Sequence, residues 1–369
     1  MLSDALKSNY MNVISNCDTV LFRHKQRTIA QRLKTLIPLA EGFNDIDNYG
    51  QGGLINDFEN EVALLLGHEA AVFLPSGTMA QVMALKIWAD DKQCNNVAFH
   101  PTSHLQLHEQ LSYQELYHLN GVLVGDEAKV ISVTDLNALD VELSALLVEL
   151  PMREIGGQLP TWEELEKQRQ WATEHNVALH LDGARLWSCE TYYQKSLAEI
   201  ASLFDSVYVS FYKDLDGIAG AMLLGTAPFI EQARLWARRC GGNLVSQFPT
   251  ILAAIDGLSK HLPLMPEYVA KAGIIAESFN QQDNFEVIPA KPRANLFHLV
   301  IDQPPEQLVP KIVQWSQQNN IALLPLPRSG RTPLCKQSSR FEITIGQNAL
   351  ASEDSAWKTA IEKLSDFIK

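Results

Sequence analysis

The sequence predicts an α/β protein, with a large, doubly wound and mostly parallel sheet followed by a smaller α+β domain. Three observations carry that prediction. Short apolar runs alternate with amphipathic helical stretches through most of the chain, the pattern of repeated strand–helix units. Runs such as 70–74 (AAVFL) and 146–150 (LLVEL) are nearly apolar throughout rather than alternating, as strands covered on both faces require. The residues just past these runs are polar and chemically versatile: Ser76-Gly77-Thr78, Asp182 with Arg185, and Lys213. Ligands collect at such strand ends in sheets of this kind.

Taken in order, 54–66 places Leu54, Phe58, Val62 and Leu65 on one helical face and stops at Gly67. The strand at 70–74, the turn at 75–78 and a helix over 79–88 follow. A strand at 146–150 leads to a helix over 161–175, opened by Thr161 with Glu164 three residues on, which predicts a capping box. Strands at 177–181, 206–211 and 220–224 complete the pattern. Beyond residue 255 it changes: a helix over 268–281, strands at 285–288, 295–301, 321–326 and 340–345, and helices over 306–319 and 353–368. These boundaries predict two domains, 1–255 and 256–369, as the length of 369 residues allows. Arg23, Lys25, Arg27, Arg32 and Lys34 read as one helix with a solvated basic face.

Composition narrows the function. Hydrophobic residues are 46% and charged residues 20% of the chain, a globular balance. Thirty Lys+Arg against 43 Asp+Glu give a net charge of −13, which disfavours nucleic acid or an anionic membrane as the main partner. The five cysteines are scattered with no CxxC spacing, so a zinc site and a disulfide framework are not expected. With no apolar leader or membrane-length apolar run in the sequence, a cytoplasmic location is expected.

The strand-end residues suggest a particular chemistry. Ser76-Gly77-Thr78 at a helix start offers backbone and hydroxyl donors to a phosphate, although an ordinary helix cap looks the same in sequence. Asp182, ending an apolar strand, needs a cationic or protonated partner; it suits either an ion pair with Arg185 or a heterocyclic nitrogen. Lys213, between an apolar strand and the turn at Gly217, is placed to lose solvent and become a nucleophilic amine. Phosphate cup, acid and amine together describe a pyridoxal phosphate site.

Here the chain resembles the threonine aldolase / aromatic amino acid β-eliminating lyase family, fold-type I enzymes that use pyridoxal 5'-phosphate. The resemblance runs from Tyr49 to the C-terminus and rests on Tyr49-Gly50, Glu69 to Ala80 (EAAVFLPSGTMA), Leu179 to Arg185 (LHLDGAR), and Lys213 with Gly217 and Gly220. It implies that Ser76, Gly77 and Thr78 hold the cofactor phosphate. It implies that His104, with Glu109 near it, stacks on the pyridine ring, leaving His100 and His108 as surface or packing histidines. Asp182 would bind the ring nitrogen and Lys213 the aldehyde; Arg185 would meet the phenolic oxygen or the substrate carboxylate. Arg340 matches the α-carboxylate clamp, with Arg185, Arg328 and Arg331 as alternatives, and Asn295 is either a site residue or a turn residue. A homodimer or homotetramer acting on a small amino acid is implied. The expected reaction is retro-aldol cleavage of a β-hydroxy-α-amino acid, with His104 acting through a water as base; β-elimination, or cofactor binding without turnover, are the alternatives. Three departures stand out. Met152 occupies the place of a family histidine, Asp214 and Asp216 replace glycines after the lysine, and 243–246 lacks the expected arginine. The two aspartates are expected to favour the charged form of Lys213.

Overall fold

The computed structural model describes residues 2–43, 45–328 and 338–369. The chain forms two compact units. The larger, Arg27–Glu154 with Leu159–Leu264, is built on seven strands: β1 (Ala70–Leu74), β2 (Asn96–Phe99), β3 (Asn120–Leu123), β4 (Ala145–Glu149), β5 (Ala178–Gly183), β6 (Ser206–Ser210) and β7 (Ala221–Gly225). Their order across the sheet is β1-β7-β6-β5-β4-β2-β3. Five neighbouring strands, from β6 to β3, pair in parallel; β7 pairs antiparallel with both β6 and β1. The carboxyl ends of β1, β2, β4, β5 and β6 therefore open on the same edge.

Strands β5, β6 and β7 are buried at every residue, so helices must cover both faces. The helices used below are α1 (Ile29–Ala40), α2 (Gly53–Leu65), α3 (Gly77–Lys92), α4 (His104–His108), α5 (Trp162–Glu174), α6 (Ala227–Arg239) and α7 (Phe248–His261). Val82, Leu85 and Ala89 of α3 pack on Val97, Phe99, Ala145 and Leu147, while Ala80, Met83, Ala84 and Ile87 pack on Val72, Tyr208, Leu223 and Ala233. Nearly every side of α3 is apolar because it is enclosed, and this fixes the turn that precedes it.

One polar network crosses that interior. The ring of His180, fully buried in β5, lies 2.7 Å from Ser206 Oγ of β6 through Nδ1 and 2.7 Å from Gln81 Oε1 of α3 through Nε2. Trp88 Nε1 donates to the same Ser206 hydroxyl. It ties together the three elements that lead to Ser76, Asp182 and Lys213.

The smaller unit holds Met265–Lys369, Ile155–Gln158 and the residues up to Gln26. Its antiparallel sheet consists of β8 (Glu286–Ile288), β9 (Leu296–Ile301) and β10 (Ser339–Thr344), with β9 in the middle. The expected boundary at 255/256 falls inside α7, whereas the chain divides after Leu264. The first 26 residues also leave the large unit. Thr19–Val20 pairs in parallel with Ile321–Ala322, and the buried Tyr10 hydroxyl donates to the carbonyls of Leu324 and Pro325. Only Ile321–Ala322 of the expected strand at 321–326 forms. The predicted basic helix is likewise shorter: α1 starts at Ile29, after the Thr28 cap. At α5, Thr161 caps the Glu164 N–H, but Glu164 turns its carboxylate to the backbone N–H of Val133, so the predicted box is half made. Among the described residues no helix is long and apolar enough to cross a membrane.

Burial pushes the His180 imidazole down to about 3. Replacing it with leucine strands the Gln81 and Ser206 groups and should cost about 2–4 kcal/mol at neutral pH. Below pH 6.5 the unfolded chain binds a proton at residue 180 that the folded chain refuses, so this histidine withdraws stability as pH falls toward 3. Urea unfolding should show the gap between wild type and His180→Leu narrowing by about 2 kcal/mol between pH 7.5 and pH 5. A gap that stays constant would contradict the linkage.

Candidate active site

Several strands of the large sheet each deliver one part of the site. β1 ends at Leu74, and Ser76 becomes the N-cap of α3 with its hydroxyl making no capping bond. The free N–H groups of the first turn and the positive end of a 16-residue helix favour an anion there. Gly77 is needed for a steric reason: a Cβ at that position would collide with the Tyr208 hydroxyl. Thr78 is exposed beside it. The bare backbone and uncommitted hydroxyls suit a phosphate.

Asp182, on buried β5, has one carboxylate oxygen accepting the Ala184 N–H at 3.0 Å. In register with it on either side stand Glu149 of β4 and Tyr208 of β6. Glu149 was not singled out from sequence, although a carboxylate closing an apolar run is the same signal that marked Asp182. Loss of water and the neighbouring Asp182 charge push the Glu149 carboxyl up to about 8, against the pull of the Arg153 N–H, which donates to it at 3.0 Å.

Lys213 follows β6. Its amine is drawn down to about 8, first by burial and then by the Arg185 guanidinium, with Asp182 and Glu149 opposing. Its ammonium lies 5.9 Å from the centre of the Tyr212 ring. Each of the two aspartates that follow has arginine beside it. Asp214 is 3.8 Å from Arg185 Nε. Asp216 holds a left-handed backbone, φ 54°, and is gripped by Arg27 at 2.7 Å and Arg32 at 2.8 Å. Those arginines are therefore not on a solvated helix face.

His104 opens α4 after β2, and its Nδ1 is 2.8 Å from Glu109 Oε1, a carboxylate almost wholly buried. His100 is a packing residue as expected, bonded to the Thr102 hydroxyl and the Asp126 carbonyl. His108 is exposed, as expected, and its Nε2 is 2.9 Å from Glu154 Oε1. Met152 is buried. A cavity of about 690 Å³ runs along edge strand β1, lined by Tyr49, Glu59, Arg234, Asn243 and Gln247 among others. None of the expected site residues lines it; they stand at the strand ends instead.

In the smaller unit, Arg340 stands on β10 opposite Val300, its Nε buried without a hydrogen-bond partner among the described residues. Arg328 is committed to Glu342, at 2.6 Å, and to His298; Arg331 lies outside the described residues. Asn295 is buried and donates to the Ile345 carbonyl, so it ties strand ends together.

A dry amine, a buried carboxylate, a carboxylate-held imidazole and an open helix N-terminus thus gather at the strand ends of one α/β sheet. Comparison with known proteins agrees. The beta-eliminating lyase family model matches residues 40–302, and the chain belongs to that family. A solved structure from Listeria monocytogenes, described as a candidate L-allo-threonine aldolase, is 36% identical with TM-score 0.93, over 98% of this chain and 99% of that one. One from Exiguobacterium, described as a candidate aromatic amino acid beta-eliminating lyase/threonine aldolase, is 36% identical with TM-score 0.92, over 97% and 99%. The low-specificity L-threonine aldolase 1 of Arabidopsis thaliana is 25% identical over 292 residues, 76% of this chain and 81% of its own. The fold is the fold-type I architecture expected from the sequence.

Because Arg185 is the chief charge holding the Lys213 amine down, Arg185→Gln should move its titration midpoint upward from about 8. The ¹³C shift of the dimethylated lysine, followed against pH in the protein without ligand, checks this. An unchanged midpoint would mean that burial alone sets it.

Proposed function

We propose that this chain is a pyridoxal 5'-phosphate-dependent lyase that cleaves the Cα–Cβ bond of a β-hydroxy-α-amino acid, releasing an aldehyde and glycine or a related amino acid. The observation that carries the reading is the desolvated Lys213 amine within reach of the buried Asp182 carboxylate's charge. Ser76, Gly77 and Thr78 would hold the phosphate, Asp182 the ring nitrogen and Lys213 the aldehyde carbon. His104, held by Glu109, would lie against the ring, and Arg185 would meet the phenolic oxygen or the substrate carboxylate. The chemistry the cofactor supplies when bound is an electron sink for the pair left at the α-carbon.

The protein's own residues do the rest. Asp182 would keep a proton on the ring nitrogen. Lys213, with a midpoint near neutral pH, is uncharged often enough to attack a carbonyl and basic enough to move a proton afterwards. Arg340 is the proposed clamp for the α-carboxylate, because a planar guanidinium matches a carboxylate at two points. A homodimer or homotetramer fits the apolar stripe that α1 leaves exposed, Ile29, Leu33 and Ile37 at 81%, 52% and 57%, since such surfaces mark contacts between chains. A cytoplasmic location is part of the same proposal.

Incubation with threonine, allo-threonine and phenylserine should yield aldehyde and glycine in equimolar amounts. Pyruvate and ammonia instead would favour β-elimination, and no product from any of them would leave binding without turnover. Asp182→Asn should retain cofactor absorbance while turnover falls on the order of a thousandfold, about 4 kcal/mol; near-normal activity would remove Asp182 from its role.

Arg340→Lys keeps the charge but loses the fork, so KM for the amino acid should rise more than kcat falls. Unchanged kinetics there, together with weakened amino acid binding in Arg185→Lys, would transfer the clamp to Arg185.

A further inference from the structure

Helix α4 carries two histidines one turn apart, with ring centroids 5.0 Å from each other. Each has its own carboxylate, and the two are gripped by opposite nitrogens. Glu109 faces Nδ1 of His104 at 2.8 Å, and Glu154 faces Nε2 of His108 at 2.9 Å. An ionised carboxylate only accepts, so the nitrogen facing it carries the proton. The neutral His104 ring therefore keeps its lone pair at Nε2 and the His108 ring at Nδ1. Neither atom has a hydrogen-bond partner among the described residues. Glu154 is fixed in turn by Arg153 Nη1 at 3.2 Å, and the Arg153 N–H donates to Glu149. A chain of contacts thus leads from His108 to the strand end that is in register with Asp182. Glu154 and Arg153 also act electrostatically on the strand-end groups, Glu154 on Glu149 and Arg153 on Lys213.

This matters because one imidazole is asked to do two things. A ring lying flat on a cofactor is positioned by that stacking, whereas a base must be aimed at the β-hydroxyl. Met152, where the family resemblance implies a histidine, has no group able to accept a proton.

We propose that His108, oriented by Glu154, is the base that takes the β-hydroxyl proton, leaving His104 to hold the ring; the assignment rests on the retro-aldol reading above. In that step the hydroxyl O–H bond breaks and its proton goes to His108 Nδ1. The oxygen closes a carbonyl with the β-carbon, and the Cα–Cβ pair stays on the α-carbon. The α-carbon then takes up one proton to give the amino acid product, and His108 returns its own to water. No oxidant or reductant is consumed. Glu154 stabilises the imidazolium that forms, as the carboxylate of an acid–base dyad does.

His108→Ala should lower aldehyde release by about 10²–10³-fold. The side chain is 38% exposed, so added imidazole can enter and should restore at least about a tenth of that loss on a logarithmic scale. Exchange of the glycine α-proton with deuterated water, followed by NMR, involves no β-hydroxyl and should change less than about threefold. Glu154→Gln should slow aldehyde release about tenfold or more. In ¹⁵N-histidine spectra of the unliganded protein, the same variant should turn the single Nε2–H form of His108 into a mixture. Aldehyde release that is unchanged in His108→Ala overturns the assignment. So does an equal loss of aldehyde release and glycine exchange, or a loss that imidazole does not relieve, because those mark a structural role. A wild-type protein that exchanges glycine but releases no aldehyde overturns the retro-aldol reading itself, and the assignment with it.

Discussion

The site depends on how one buried amine is balanced among charges that cannot reach water. Lys213 has Asp182 and Glu149 on one side of that balance and Arg185 and Arg153 on the other. Two ionised carboxylates in register on neighbouring strands would repel each other strongly in so dry a place. The cost falls on Glu149, whose carboxyl is pushed up to about 8 by burial and by the Asp182 charge. Arg185 and Arg153 each serve a nearby acid as well, Asp214 and Glu154. The site is therefore poised without a large surplus of either sign.

That balance follows from the sheet. Parallel strands covered on both faces leave polar chemistry nowhere to sit but at their ends. The His180 network holds the helix and strands that set those ends at fixed spacing. The charge state of the amine is thus a property of strand register as much as of local sequence.

What the sequence revealed follows the same logic. Ser76, Asp182 and Lys213 are legible because each stands at or just beyond the end of an apolar run that folds as a strand. Glu149 carries the same mark, but its importance comes from standing in register with Asp182 across a hydrogen-bonded pair of strands. The partners of Asp216 and His108 were hidden for another reason: Arg27 is 189 residues from Asp216, and Glu154 is 46 from His108. Ion pairs over such separations leave no periodicity to read. The boundary expected near 255 rests on a change in the pattern of elements, yet Asp256 sits within α7 and binds Arg27 and Lys260.

Asp216 also has a consequence for how the chain assembles. A glycine would adopt the left-handed turn after Lys213 with little cost, whereas an aspartate there gives up roughly 1–2 kcal/mol. Arg27 and Arg32 offset that cost with bonds to both carboxylate oxygens, and Arg32 also donates to the backbone carbonyl of the same residue. The shape of the lysine turn is thereby entrusted to a segment made early in synthesis, long before the turn itself leaves the ribosome. The first-made stretch of the large unit must wait for the later strands before its guanidiniums find their carboxylate. The lysine turn is among the features completed only when these distant parts of the unit close on each other, so a half-made chain carries the amine but not the geometry that would make it reactive.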